Sequence, residues 1–348
     1  MQGKSLFLAA LVLSVSSVLH GQEPQALTLS GDYAFTHDPS IAREGGAYYV
    51  FATGAAPGGG QLAIRCSQNL SEWKLCGRVF AALPEWIRET SPKTKDLWAP
   101  DISYFNEKYH LYYAYSAFGV NTSGIALATN ETLDPASAKY AWKDEGLVLK
   151  SQKTDDFNAI DPNVVMDEKG QAWLSFGSFW SGIKMRKLDA ATGKLDTSDA
   201  TLYSLATRAR PVDAEPPRAD LPPDWEAIEA PFIVRHEGYY YLFVSFDLCC
   251  RGTKSSYRTM VGRAKNVTGP YVDAQGKPMM EGGATQLLTG NGRWLGPGGE
   301  SVLQRPEGDL LVFHAYDAAT GKPGLQISTL VWKNGWPEAA LATTGEVK

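Results

Sequence analysis

Basic runs are missing from this sequence. Its 33 lysines and arginines are scattered among 38 acids, for a formal charge of −5. Without a concentrated positive surface, neither nucleic acid nor an anionic membrane is an expected partner. Long amphipathic helical patterns are also missing, which disfavours a TIM barrel. Cysteine is scarce: Cys66, Cys76, Cys249 and Cys250 are the only four. None belongs to a His/Cys cluster with zinc spacing, so a metal held by sulfur is not expected. After residue 19 no apolar run is long enough to span a bilayer. With 44% hydrophobic and 20% charged residues in 348, the composition excludes disorder, collagen and a disulfide miniprotein.

What is present begins with Lys4 and an apolar run over residues 6–19. The run is short for a membrane span and stands where a secretory signal belongs. Residues 1–21 are read as a signal peptide cleaved near Gly21, and residues 22–348 as one domain, secreted or periplasmic and monomeric. In that oxidising setting Cys66 and Cys76, flanking a turn-rich segment, suit a cross-strand disulfide. The adjacent Cys249 and Cys250 either close a vicinal ring or stay as two thiols.

One three-part unit recurs five times at intervals of roughly 60 to 70 residues. Each copy opens with an acid and a short apolar strand: Asp38-Pro-Ser-Ile, Asp101-Ile-Ser-Tyr, Asp161-Pro-Asn-Val, Glu229-Ala-Pro-Phe and Glu300-Ser-Val-Leu. A tight polar turn follows, then an aromatic or β-branched strand, a longer loop and a third strand; a fourth strand usually completes the unit. The pattern predicts an all-β fold, a five-bladed β-propeller. In such meanders the strand 1 openings and the loops between strands 2 and 3 lie on one face. The five acids are therefore expected in register around the axis, where carboxylates raise one another's pKa values and separate into acid and base. Loops on that face carry Phe118 and Gly119, then Ser178, Phe179 and Trp180, the 249–252 segment, and Tyr316 and Asp317, with Trp98 just ahead of the second unit. Aromatic rings beside a few polar groups suit a sugar, although most of the 10 Trp and 16 Tyr are expected to pack between blades.

The stretches THDPSI (36–41), LWAPDISYF (97–105), NAIDPNVV (158–165), LSFGSFWSGI (174–183), AIEAPFIV (227–234), VSFDLCCRGT (244–253) and VFHAYD (312–317) resemble glycoside hydrolase family 43, in particular its secreted arabinanases acting on α-1,5-linked L-arabinan. The resemblance runs from about residue 33 to Trp336. It implies an inverting mechanism in which Asp38 is the general base, Glu229 the general acid and Asp161 a third carboxylate that tunes and positions the acid. It implies that His314 faces a largely water-coordinated calcium ion in the central channel. It places His37, Trp98, Phe118, Gly119, Asn158, Ala159, Ile160, Ser178, Phe179 and Trp180 along the sugar cleft. Asp101 and Glu300 match no catalytic residue and are expected to be structural or to order solvent. GPGGES at 296–301 departs from the family pattern and touches the calcium shell only. The rival readings are an exo-acting α-L-arabinofuranosidase or β-xylosidase of the same family, and a propeller that binds sugar without cutting it.

Overall fold

The computed structural model describes residues 23–211 and 222–343. The expected signal peptide over residues 1–21 lies outside the described residues. Among those described, no helix is long and apolar enough to cross a membrane.

Runs such as Tyr239–Phe246 (YYYLFVSF) and Asp309–Asp317 (DLLVFHAYD) are too rich in β-branched and aromatic residues to favour helix, and tight turns fold them back on their neighbours. Asn106 and Glu107 both take positive φ (+48° and +59°) between Leu97–Phe105 and Lys108–Tyr115, as do Glu237 and Gly238 between Ile228–His236 and Tyr239–Phe246. Two consecutive left-handed residues match the twist of a two-residue hairpin.

Five antiparallel sheets result, each in chain order. Blade 1 contains Ser40–Glu44, Ala47–Ala55, Gln61–Ser67 and Glu72–Phe80. Blade 2 contains Leu97–Phe105, Lys108–Tyr115, Gly124–Asn130 and Lys143–Lys150. Blade 3 contains Asn163–Met166, Ala172–Phe176, Ile183–Asp189 and Tyr203–Ala206. Blade 4 contains Ile228–His236, Tyr239–Phe246, Arg258–Ala264 and Thr285–Leu288. Blade 5 contains Trp294–Leu303, Asp309–Asp317, Pro323–Lys333 and Trp336–Glu338. The fold is a five-bladed β-propeller.

Apolar side chains are buried between neighbouring blades. One cluster joins blades 1 and 2 through Phe51, Leu62, Leu111 and Tyr113; another joins blades 4 and 5 through Phe243, Val261, Trp294 and Phe313. The ring closes where the N-terminal segment runs along blade 5, Leu27 N–H donating to Ile327 O at 2.8 Å and Leu325 N–H to Tyr33 O at 2.9 Å. Ser30–Gly31 of the same segment pairs with the outer strand of blade 1. Cys66 and Cys76 form the expected cross-strand disulfide in blade 1, and Cys249 and Cys250 are joined as a vicinal disulfide.

The expected register of the five acids is corrected. Each blade carries one left-handed residue at its inner edge: Asp38 (φ +45°), Ala99 (+41°), Asp161 (+55°), Ala230 (+52°) and Gly299 (+58°). In blades 2, 4 and 5 this residue lies in a bulge, where the pairing shifts between Trp98 and Asp101, Glu229 and Phe232, and Gly298 and Ser301. Only Asp38 and Asp161 are equivalent. Glu229 stands one place earlier, with His37 and Trp98; Glu300 stands one place later; Asp101 stands two later, with Ser40, Asn163 and Ser301. That last position ties blades together. Ser40 Oγ accepts from Ile102 N–H (3.1 Å), Asp101 from Val164 N–H (2.9 Å) and the Asn163 amide (3.1 Å), Asn163 from Ile233 N–H (2.9 Å), and Ser301 Oγ donates to Pro39 O (2.7 Å).

Candidate active site

The inner edges of all five blades enclose an axial cavity of about 30 Å³ lined by Asp38, Asp101, Asp161 and Glu300 among others. Gly299 keeps it open: a Cβ there would lie 2.5 Å from Asp38 Oδ1 and 2.8 Å from His314 Nδ1.

Asp38 receives two converging chains of donors. Thr53 O–H donates to Oδ2 at 2.6 Å, and Thr53 Oγ1 in turn accepts from Ala99 N–H at 2.7 Å. His37 Nδ1 lies 2.8 Å from the same Oδ2, while its Nε2 lies 2.6 Å from Tyr316 Oη. Burial opposes ionisation of Asp38, but His37 beside it, His314 and the Thr53 hydroxyl together outweigh it and hold the carboxyl well below the ordinary range. Oδ2 is thereby filled, and Oδ1 faces the His314 ring at 3.7 Å.

Glu229 is 8% exposed. The loop 177–182 of blade 3 is bonded onto its strand, Phe179 N–H donating to Ile228 O at 2.9 Å, so Ser178 O–H donates to Glu229 Oε2 at 2.5 Å. Tyr257 O–H donates to Oε1. Burial pushes the Glu229 carboxyl up to about 7; the Asp38 charge adds to this, and Ser178 and His37 only partly offset it. Asp161 accepts from Ala230 N–H at 3.1 Å, and burial together with the charges of Glu229 and Asp38 raises it well above the usual carboxylate range. The three acids named from the sequence thus share one electrostatic site.

The two remaining acids differ from these. Burial moves Asp101 to about 6, and its oxygens are spent on Val164 and Asn163. Burial moves Glu300 to about 8; Oε2 accepts from Ser245 at 3.0 Å, and Oε1 has no partner among the described residues.

The expected sugar contacts divide by exposure. Phe118 is 79% exposed and stands 5.1 Å, ring to ring, from the half-buried Trp98; the next residue, Gly119, supplies φ +77° for the turn. Phe179 and Trp180 are half-buried on the same face, both at positive φ. Ser178 is buried and committed to Glu229. His37 has both ring nitrogens engaged, by Asp38 and Tyr316, and so has no nitrogen left for a sugar. Ala159 has no exposed surface and packs between blades 2 and 3, leaving nothing to offer a ligand; Asn158 and Ile160 are also buried. Tyr257, Thr53 and the Tyr316 hydroxyl were not assigned these roles from sequence. A polar side chain on a strand next to a motif residue is the only signal, and it is weak.

His314 is fully buried, stacks on His37 at 3.8 Å and accepts from Asp38 N–H through Nδ1 at 3.1 Å; Nε2 has no partner among the described residues. Burial and His37 hold its pKa well below the usual imidazole value, so the ring is neutral. Calcium takes mainly oxygen ligands. With Nδ1 accepting from Asp38 N–H, the neutral ring carries its proton on Nε2, and this orphaned N–H beside an acidic cavity fits a water in an ion's shell, not the ion itself.

The family described as glycosyl hydrolases family 43 matches residues 33–337. The chain is 43% identical over 303 residues to "Extracellular endo-alpha-(1->5)-L-arabinanase 1" of Bacillus subtilis (strain 168), covering 86% of each protein. It is likewise 43% identical over 307 residues to "Extracellular exo-alpha-(1->5)-L-arabinofuranosidase ArbA" of Cellvibrio japonicus (strain Ueda107), covering 87% and 85%. Among solved structures, Cellvibrio cellulosa α-L-arabinanase complexed with arabinohexaose superposes with a TM-score of 0.81 at 42% identity, over 89% of this chain and 96% of that one. With the family matched across nearly its whole described length and relatives 43% identical over most of it, the chain belongs to glycosyl hydrolases family 43 and is a glycoside hydrolase.

Proposed function

We propose that the protein is a secreted, monomeric arabinanase that cuts internal α-1,5-L-arabinofuranosidic bonds of arabinan, the side-chain polymer of pectin, with inversion. The observation that carries this reading is the separation of two carboxyls in one site: Asp38 is held ionised while Glu229 is pushed up to about 7. At neutral pH the pair supplies a base and an acid together.

With Oδ2 saturated by His37 and Thr53, Asp38 Oδ1 accepts the proton of an attacking water. Glu229, with Ser178 and Tyr257 fixing its carboxyl plane, gives its proton to the departing glycosidic oxygen. Inverting pairs stand roughly 6.5–9.5 Å apart so that water fits between base and sugar. Asp161 opposes ionisation of Glu229 and keeps the acid loaded. Calcium, if held through water against His314 Nε2, would supply a fixed positive charge beside these acids.

The sugar specificity and the secreted location follow the relatives, whose names carry arabinan and the word extracellular. Internal cutting is favoured by exposed aromatic faces on two sides of the acids. Phe118 stands over blade 2, and Phe35, 59% exposed, stands where the N-terminal segment meets blade 5, with Lys322 Nζ 5.1 Å from its ring. Chromatography of early products tests the reading. A ladder of oligosaccharides from linear arabinan, with xylan untouched, is expected. One short product from the first minutes would make the enzyme exo-acting, and intact arabinan would overturn the assignment.

A further inference from the structure

The vicinal disulfide is not used in the mechanism above, yet it lies against the base. Cys250 is exposed on the face of the acids, with Sγ 3.7 Å from His37 Nε2. Its backbone sits at φ +63°, a conformation that a residue with a Cβ keeps only when its surroundings hold it. In that conformation the Cys250 N–H donates to Tyr316 Oη at 2.8 Å. Tyr316 is 2% exposed, and its Oη lies 2.6 Å from His37 Nε2.

The directions of these bonds are consistent from end to end. The amide of Cys250 can only donate, so Tyr316 Oη accepts from it and can give its own proton to His37 Nε2. With that bond made, the other imidazole proton sits on Nδ1, 2.8 Å from Asp38 Oδ2. Each donor polarises the next toward the carboxylate. The loop that presents Cys250 is tied at its base by Asp247 N–H to Ala227 O at 3.1 Å and Ser256 N–H to Leu248 O at 2.8 Å, and beyond Cys250 by Arg251 N–H to Ser255 Oγ at 3.0 Å and Arg251 to Asp224 at 3.4 Å.

We propose that the Cys249–Cys250 disulfide and Tyr316 form one positioning device for the general base, the ring holding the Cys250 amide on Tyr316 and Tyr316 setting the tautomer and orientation of His37. The proposal rests on the reading of Asp38 as the base. Neither cysteine nor Tyr316 touches the reacting atoms in this account. Their loss is expected to appear in kcat, with KM little changed.

Three variants of the full chain test it on linear arabinan: Tyr316→Phe, Cys249→Ser/Cys250→Ser, and the triple change. The first removes only a hydroxyl from the core. Each of the first two is expected to lower kcat about tenfold, the effect of one lost hydrogen bond in the chain that supports Asp38, with KM within about twofold. The triple variant should lose no more than Tyr316→Phe alone, because groups acting in series are not additive. A water-soluble phosphine gives a second measurement. It takes its oxygen from water as the S–S bond breaks and each sulfur gains a proton, so reduction should lower kcat in the wild type and in a Cys66→Ala/Cys76→Ala control alike. Nitrogen-15 shifts of the His37 ring should show the Nδ1–H tautomer in the wild type and its loss in both core variants. Unchanged kcat in the cysteine variant, independent losses that multiply to about a hundredfold in the triple, or a loss confined to KM would each overturn the proposal. A wild type inactive on arabinan would instead overturn the proposed function, and the ring shifts would still judge the device.

Discussion

Asp38 and Asp161 occupy the same place in two blades, at φ +45° and +55° and each before a proline, yet their carboxyls are driven in opposite directions. Asp38 has His37, Thr53 and His314 around it and is held low despite burial. Asp161 has one backbone donor, Ala230 N–H, and two acids nearby, so burial and repulsion raise it. The repeat supplies equivalent positions, and unlike neighbours turn them into unlike acids.

Asp161→Asn keeps the shape and removes the charge. Asp161 and Glu229 repel each other when both are ionised, so an ionised Asp161 disfavours ionisation of Glu229. Without it the pKa of Glu229 falls, so the alkaline limb of the pH–rate profile, set in the wild type by a group at about 7, should move down by roughly one unit, with activity surviving on the acidic side. The profile of kcat/KM on arabinan checks this, and an alkaline limb that stays in place would remove Asp161 from the tuning role.

Glu229→Ala should cost on the order of 10²–10⁴ in rate on arabinan, the usual contribution of a general acid. An aryl arabinoside with a good leaving group needs little protonation. If it is turned over, it should lose far less. Equal losses on the two substrates would mean that Glu229 does not protonate the leaving oxygen.

The blades were legible in the sequence because strand, tight turn and aromatic strand repeat with little interruption, as in Ile228–His236 and Tyr239–Phe246. Asp38 and Asp161 were legible because each abuts a proline, and Glu229 because it stands two residues before one, all three within long motifs. The offset among the five acids was not. The bulges at 99–100, 230–231 and 299–300 add residues that become visible only when the partner strand is paired. The support around the acids was hidden for another reason: Tyr257 and Tyr316 lie 28 and 278 residues from the acids they bond or support; the motif at 312–317 put Tyr316 on the right face without naming its partner, and Tyr257 has no local pattern that distinguishes it from a packing tyrosine.

Asp101 ties blade 2 to blade 3 through Val164 and Asn163, and the proposed mechanism gives it no part in the chemistry. Asp101→Ala should leave the Val164 N–H and the Asn163 amide unpaired in a buried setting, destabilising the fold by about 2 kcal/mol. The melting temperature should drop by several degrees, while the folded enzyme keeps its kcat. A large fall in kcat with an unchanged melting temperature would reverse the assignment.

Hydrolysis by a base and an acid with water between them forms no sugar ester on the enzyme, so the anomeric centre inverts. Proton NMR during the first turnovers of arabinan should show the β-anomer of the new reducing end before mutarotation mixes the two. The α-anomer appearing first would require a covalent intermediate and would exclude Asp38 as a simple base.

His314 gives the last test. Its ring is buried against His37 and Asp38, but the apolar clusters that hold the blades together lie between the sheets, away from the axis. A bound calcium should therefore matter to the charge balance of the acids more than to folding. Prolonged chelation, or His314→Gln, should lower kcat while the far-ultraviolet circular dichroism keeps its β-sheet form, and added calcium should restore the chelated wild type but not the variant. Unfolding on chelation would make the ion structural. Full activity after chelation, with the metal shown absent by elemental analysis, would leave His314 as a packing partner of His37 alone.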